Sequence, residues 1–105
     1  MLHLVFMPLR ITSMKATLWD GSKQLHGSLE LLENGLFFSL NNFSKSNLNL
    51  NIPYEHIENV RLYRVYKISL EGLEIVTKDG KQNVFVMEDA SNIKRLIRNR
   101  INKNH

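Results

Sequence analysis

Side chains able to perform covalent or acid–base chemistry are few in this chain, and they do not converge. His3, His26, His56 and His105 are dispersed, and no two of them have the spacing that would set a pair of metal ligands on one element. Cysteine is absent, which excludes thiol nucleophiles, disulfides and cysteine-ligated zinc. Glu55-His56 with Glu58 is the nearest approach to a cluster, but it follows Pro53 and reads as a turn with no partnering motif. Gly21, Gly35, Gly72 and Gly80 have turn roles and Gly27 lies near a strand start or bulge, so no loop gathers glycines around a phosphate. No catalytic residue, metal or cofactor is expected, and the chain reads as non-enzymatic.

What remains is the chemistry of contact. Trp19 stands beside Asp20-Gly21 with Lys15 and Lys23 on its flanks, and an indole between cations suits the interface of an anionic membrane. The competing reading folds Trp19 back as core, since tryptophan is highly buried on average. A second group, Lys94, Arg95, Arg98 and Lys103 together with Arg100, crowds the end of the chain. Each such cation contributes about 1 kcal/mol near an anionic surface. The alternative for this group is a solvated helix face with cations favourably placed near a helix C-terminus. No helix-turn-helix, RNP-type or zinc motif accompanies the cations, so no specific nucleic acid is expected.

These groups must be held by one domain, because 105 residues supply a single core. The net charge of +4 and a pI near 9.6 favour association with phosphate-bearing surfaces without bearing on fold. With no cysteine a reducing cytoplasm is expected, peripheral to the membrane if the Trp19 reading holds. The start, Met1 to Leu9, is apolar but lacks a basic leader and is too short to span a bilayer, so it reads as neither signal peptide nor anchor.

The elements are punctuated by Asp20-Gly21, Asn34-Gly35 and Asp79-Gly80, pairs that tolerate the positive dihedrals of tight hairpins. A turn at Asn34-Gly35 would set Leu31 against Phe38 and Leu29 against Leu40 on a core face, with Glu30, Leu32, Phe37 and Ser39 on the other. Leu48-Asn49-Leu50-Asn51-Ile52 alternates apolar and amide side chains and stops at Pro53, as a short strand does. From Ile57 to Leu70 the pattern is one long bent strand or a strand with an irregular turn, pivoting at Glu71-Gly72. Leu73 and Ile75 would then oppose Val86 and Val84 across Asp79-Gly80. Asp89 or Ser91 caps a helix whose buried stripe is Ile93, Leu96, Ile97, Arg100 and Ile101. Residues 1–14 form an N-terminal extension or extra strand before a domain spanning 15–105. An edge strand at Leu2–Met7 would invite a homo-oligomer through residues 1–7. The fold class is mainly β with one C-terminal α-helix.

Three stretches carry a family resemblance. His26-Gly27-Ser28-Leu29-Glu30-Leu31 followed by Asn34-Gly35-Leu36-Phe37-Phe38 resembles a glycine-led strand entering a tight turn and an apolar-aromatic strand. Leu50-Asn51-Ile52-Pro53-Tyr54-Glu55-His56-Ile57-Glu58-Asn59-Val60 resembles a strand, proline, short turn, isoleucine, valine junction. Gly72-Leu73-Glu74-Ile75-Val76-Thr77, Asp79-Gly80-Lys81 and Val84-Phe85-Val86 resemble a closing hairpin. Together they resemble the pleckstrin-homology superfold, its GRAM-like branch in particular, over roughly residues 15–101. The resemblance implies an antiparallel β-sandwich or partly open barrel capped by the helix, acting as a non-catalytic module that binds lipid or protein. The first hairpin offers only Lys15 and Lys23 where phosphoinositide-binding members carry a basic run, so no specific ligand carries over. The expected partner is an anionic lipid surface or, in the alternative, a protein met at a strand edge or groove.

Overall fold

The computed structural model describes residues 9–20, 22–40, 49–65 and 70–103. Among these residues seven strands and one α-helix follow in order: β1 (Arg10–Asp20), β2 (Lys23–Leu32), β3 (Gly35–Leu40), β4 (Asn49–Pro53), β5 (Ile57–Val65), β6 (Leu70–Thr77), β7 (Gln82–Val86) and α1 (Ala90–Lys103). A 3-10 turn at Tyr54–His56 joins β4 to β5. All pairings are antiparallel in one sheet of order β4-β3-β2-β1-β7-β6-β5, which leaves β4 and β5 as its two edges. The sheet is therefore not a closed barrel.

Its curvature is visible in one contact. Phe38 on β3 and Phe85 on β7 are three strand positions apart, about 14 Å if the sheet were flat. Their ring centroids lie 5.4 Å apart at 52°. The sheet thus curls until its inner face meets itself, and the tilted ring pair adds stabilisation beyond the buried area. Leu29, Leu31, Leu36, Leu73 and Ile75 fill the same core. The helix contributes Ala90, Ile93 and Ile97 as buried residues, with Leu96 and Ile101 partly buried against them, as the three- and four-residue spacing requires. It packs on β5, β6 and the 3-10 turn.

Two expected registers are corrected, each by a glycine with a different task. In the β2–β3 hairpin Leu31 faces Leu36 and Leu29 faces Phe38, two positions from the expected pairing. The connecting residues are Glu33 and Asn34, while Gly35 opens β3 opposite Pro53. Outside partners fix this turn: the Glu33 N–H donates to the Leu9 carbonyl at 2.9 Å, and the Tyr54 N–H donates to the Asn34 carbonyl at 3.2 Å. A shift of two keeps every side chain on its expected face, so the core assignment survives.

In the β6–β7 hairpin the pairing moves by one residue, with Leu73 opposite Phe85 and Ile75 opposite Asn83. Lys78 to Lys81 lie between the two strands, and the Thr77 N–H donates to the Lys81 carbonyl at 3.0 Å, so the loop inside that bond holds three residues, Lys78, Asp79 and Gly80. Gly80 takes φ 89° and the Gly80 N–H donates to the Thr77 carbonyl at 2.9 Å, the geometry of a turn closed by a glycine bulge. A one-residue shift exchanges faces, which sends Phe85 rather than Val84 into the core. The expected pivot at Glu71-Gly72 is also corrected: β6 runs straight through both residues, and the reversal falls between Val65 and Leu70.

At the start of the chain, β1 begins at Arg10 and so takes in residues 10–14. The expected self-associating segment, residues 1–7, lies outside the described residues, as does Leu48. Asp89 immediately precedes α1 at φ 61°, and its carboxylate accepts a hydrogen bond from the Asn92 side-chain amide at 3.2 Å.

Candidate binding surface

Trp19 sits on β1 one residue before the first hairpin turn, opposite Gln24 of β2 and Val84 of β7. Alternation places it with Lys15 on the outward face, while Ala16 and Leu18 face the core. It is half-buried. Trp19 is one of the residues bordering a cavity of about 500 Å³. Leu18, Leu25, Phe38, Leu40 and Leu50 give the apolar lining, and Lys81, Gln82 and Asn83 of the β6–β7 hairpin form the rim. A neighbouring cleft of about 480 Å³ shares Leu50, Lys81 and Asn83, and extends past His56 to Lys78 and Asp79.

The β6–β7 tip is held in place by its own hydrogen bonds. The Lys78 N–H donates to the His56 carbonyl at 2.9 Å. Asp79 accepts from the Thr77 hydroxyl and, at 3.2 Å, from the Lys81 N–H. The Thr77 bond foremost, then the Lys81 N–H, holds the Asp79 carboxyl below its ordinary range. Lys78 and Lys81 are exposed on either side of it.

The candidates from the sequence separate into three places. Trp19 and Lys23 lie at the first hairpin, Lys23 opposite Asp20. Lys15 is paired with Ser28, five residues or roughly 17 Å along β1 from that turn. It lines a third cleft of about 570 Å³, bordered also by Thr17, His26 and Glu88. There the Thr17 hydroxyl and His26 Nδ1 are hydrogen-bonded at 2.9 Å. Lys94, Arg95, Arg98 and Lys103 are on α1, and Lys94, Arg95 and Arg98 line none of these three clefts. Arg95 bonds the Asn92 side chain, and Arg98 donates to the Val60 carbonyl of edge strand β5 at 3.0 Å.

Lys78 and Lys81 are the residues that sequence reasoning missed. Their signal was present, since they flank the Asp79-Gly80 turn. What brings that turn beside Trp19 is the β1–β7 pairing, which joins distant parts of the chain. Glu55, His56 and Glu58 are exposed, and no group of metal-ligating side chains forms among the described residues. No described helix is long and apolar enough to cross a membrane.

No protein-family model matches the chain, and no curated protein matches it in sequence. Solved structures do match in shape. The C-terminal domain of an unknown protein from Leishmania infantum is 14% identical, with TM-score 0.77 over 90% of this chain and 84% of that one. The N-terminal PH domain of human ARAP2 is 15% identical, with TM-score 0.71 over 89% and 80%. The pleckstrin homology domain of USP37 is 15% identical, with TM-score 0.62 over 87% and 97%. At these identities the likeness is one of fold. The chain has the pleckstrin-homology fold, an architecture that hosts many functions.

Proposed function

We propose that this chain is a non-catalytic binding module of the GRAM-like branch that docks reversibly on an anionic membrane surface at the cytoplasmic side. The observation that carries this reading is the juxtaposition of half-buried Trp19 with Lys81 around one apolar-lined cavity, with Lys78 beside it and Lys23 on the first hairpin. An amphipathic ring at a cationic rim can enter the headgroup layer while ammonium groups meet lipid phosphates. Lys15 and the α1 cations Lys94, Arg95, Arg98 and Lys103 add to the positive field from farther away, a contribution that salt screens.

Co-sedimentation with neutral and anionic vesicles across a salt series tests the reading. Trp19 is the sole tryptophan, so indole emission reports this site alone. The expected outcome is binding to anionic vesicles that weakens with salt, accompanied by a blue shift, and lost in folded Trp19→Ala. Absence of binding at low salt would shift the function to protein recognition at a strand edge or groove.

A further inference from the structure

We propose that the free edge of β1 from Ile11 to Ala16 takes up an extended acidic segment of a partner protein as an added strand. This goes beyond membrane docking and uses a different surface. β1 pairs with β2 along Arg10–Asp20 but with β7 only at Thr17, Leu18 and Trp19. On the β7 side, residues 11–16 have no backbone partner among the described residues. Beyond Val86 the Met87 N–H donates to the Glu71 carbonyl at 3.2 Å, so the chain continues along β6, whereas its register with β1 ends at Thr17 and Val86. The parting opens the cleft of about 570 Å³ in which Met14 and Met87 are apolar and Val86 and Glu88 border the side across from β1.

The other sheet edges are less available. On β5 the Val60 carbonyl is taken by Arg98 and its N–H by the Asn59 side chain at 2.9 Å. The β4 edge is five residues long and ends in Pro53, which has no N–H to donate. On β1, by contrast, Ile11 is 38% exposed, and Leu9 just before the strand is 71% exposed. Open edges with apolar side chains are templates for strand addition.

Charge chooses the occupant. β1 carries Arg10 and Lys15 and no acid before Asp20. Arg10 already faces Glu30 at 3.9 Å, which leaves exposed Lys15 to pair with a carboxylate on the incoming strand. Glu88 on the opposite border disfavours acids there, so the recognition is directional. A second copy fits less well, because the cleft is bounded on both sides and the irregularity between Arg10 and Thr12 turns the edge away from an identical one.

The test uses the full chain and an end-blocked synthetic peptide of alternating valine and glutamate, read by amide hydrogen exchange. Those amides of residues 11–16 that point away from β2 should exchange freely alone and slow several-fold with peptide at millimolar concentration. The same peptide N-methylated at alternate residues should lose the effect, and Lys15→Glu should transfer preference to a valine–lysine peptide. Three results would each overturn the proposal: no slowing with the acidic peptide, equal slowing by the N-methylated one, or protection of these amides in the peptide-free chain, whether monomer or dimer.

Discussion

A methyl group added at Gly35 would stand 2.5 Å from the Ile52 carbonyl oxygen and 2.8 Å from Pro53 Cα, both backbone atoms. At Gly80 nothing lies within 4 Å, yet φ is +89°. Gly35→Ala is expected to cost about 1–3 kcal/mol through overpacking, and Gly80→Ala roughly 1–2 kcal/mol through backbone strain. Asparagine separates the two, since it tolerates the left-handed region: Gly80→Asn should retain most of the stability in urea unfolding and Gly35→Asn should not. Tyr54 gives a pH-dependent counterpart. Its side chain is 2% exposed and its hydroxyl donates to the Leu32 carbonyl at 2.5 Å. Burial pushes this hydroxyl up to about 12, against a smaller lowering by the Arg100 cation. A raised folded value means that the neutral phenol favours the fold. Its contribution is complete below pH 10 and is lost as pH climbs through about 12. Tyr54→Phe should therefore lower neutral stability by about 0.5–1.5 kcal/mol and flatten the alkaline decline, as urea midpoints across that range would reveal.

At the scale of elements, Arg98 shows how a surface cation can be structural. Its bond to the Val60 carbonyl ties α1 to the edge strand β5. Arg98→Ala should cost about 1 kcal/mol while leaving vesicle affinity nearly unchanged; a mutant of unaltered stability that no longer sediments would reverse that assignment. The strands themselves were legible because alternation and turn residues are local signals. Asn49, Asn51 and Ile52 on β4 and Ile93 and Ile97 on α1 occupy the environments their pattern implied. The misses were places where a distant partner decides. The turn at Glu33-Asn34 is set by Leu9 and Tyr54, and Gly35 serves the approach of β4 rather than the turn. The three-residue loop at Gly80 differs by one residue from a two-residue turn, too small a difference for the dipeptide Asp79-Gly80 to announce. For the candidate surface, Trp19 and Lys23 were readable as neighbours in sequence. Lys78 and Lys81 were not, because only the β1–β7 pairing carries them to the same end.

For the whole molecule, the distribution of cations matters more than the sum of +4. Lys78 and Lys81 share the Trp19 end with Lys23, whereas Lys94 and Arg95 belong to the helix. Reversing Lys78 and Lys81 to Glu together should weaken binding to anionic vesicles by tenfold or more at low salt, taking about 1 kcal/mol for each lost cation. Reversing Lys94 and Arg95 should do less. A larger effect from the helix pair, measured in the same salt series, would relocate the docking surface to α1. The seam that assembles this end is thin: β1 meets β7 through three residue pairs, Thr17 to Trp19 with Val84 to Val86, against ten with β2. Those three pairs close a loop comprising most of the polypeptide, so their chain-entropy cost precedes their reward. In folding, the hairpins flanking the seam are expected to mature first as neighbours in sequence, with the seam closing late and the end that gathers Trp19 and Lys81 assembling at that last step.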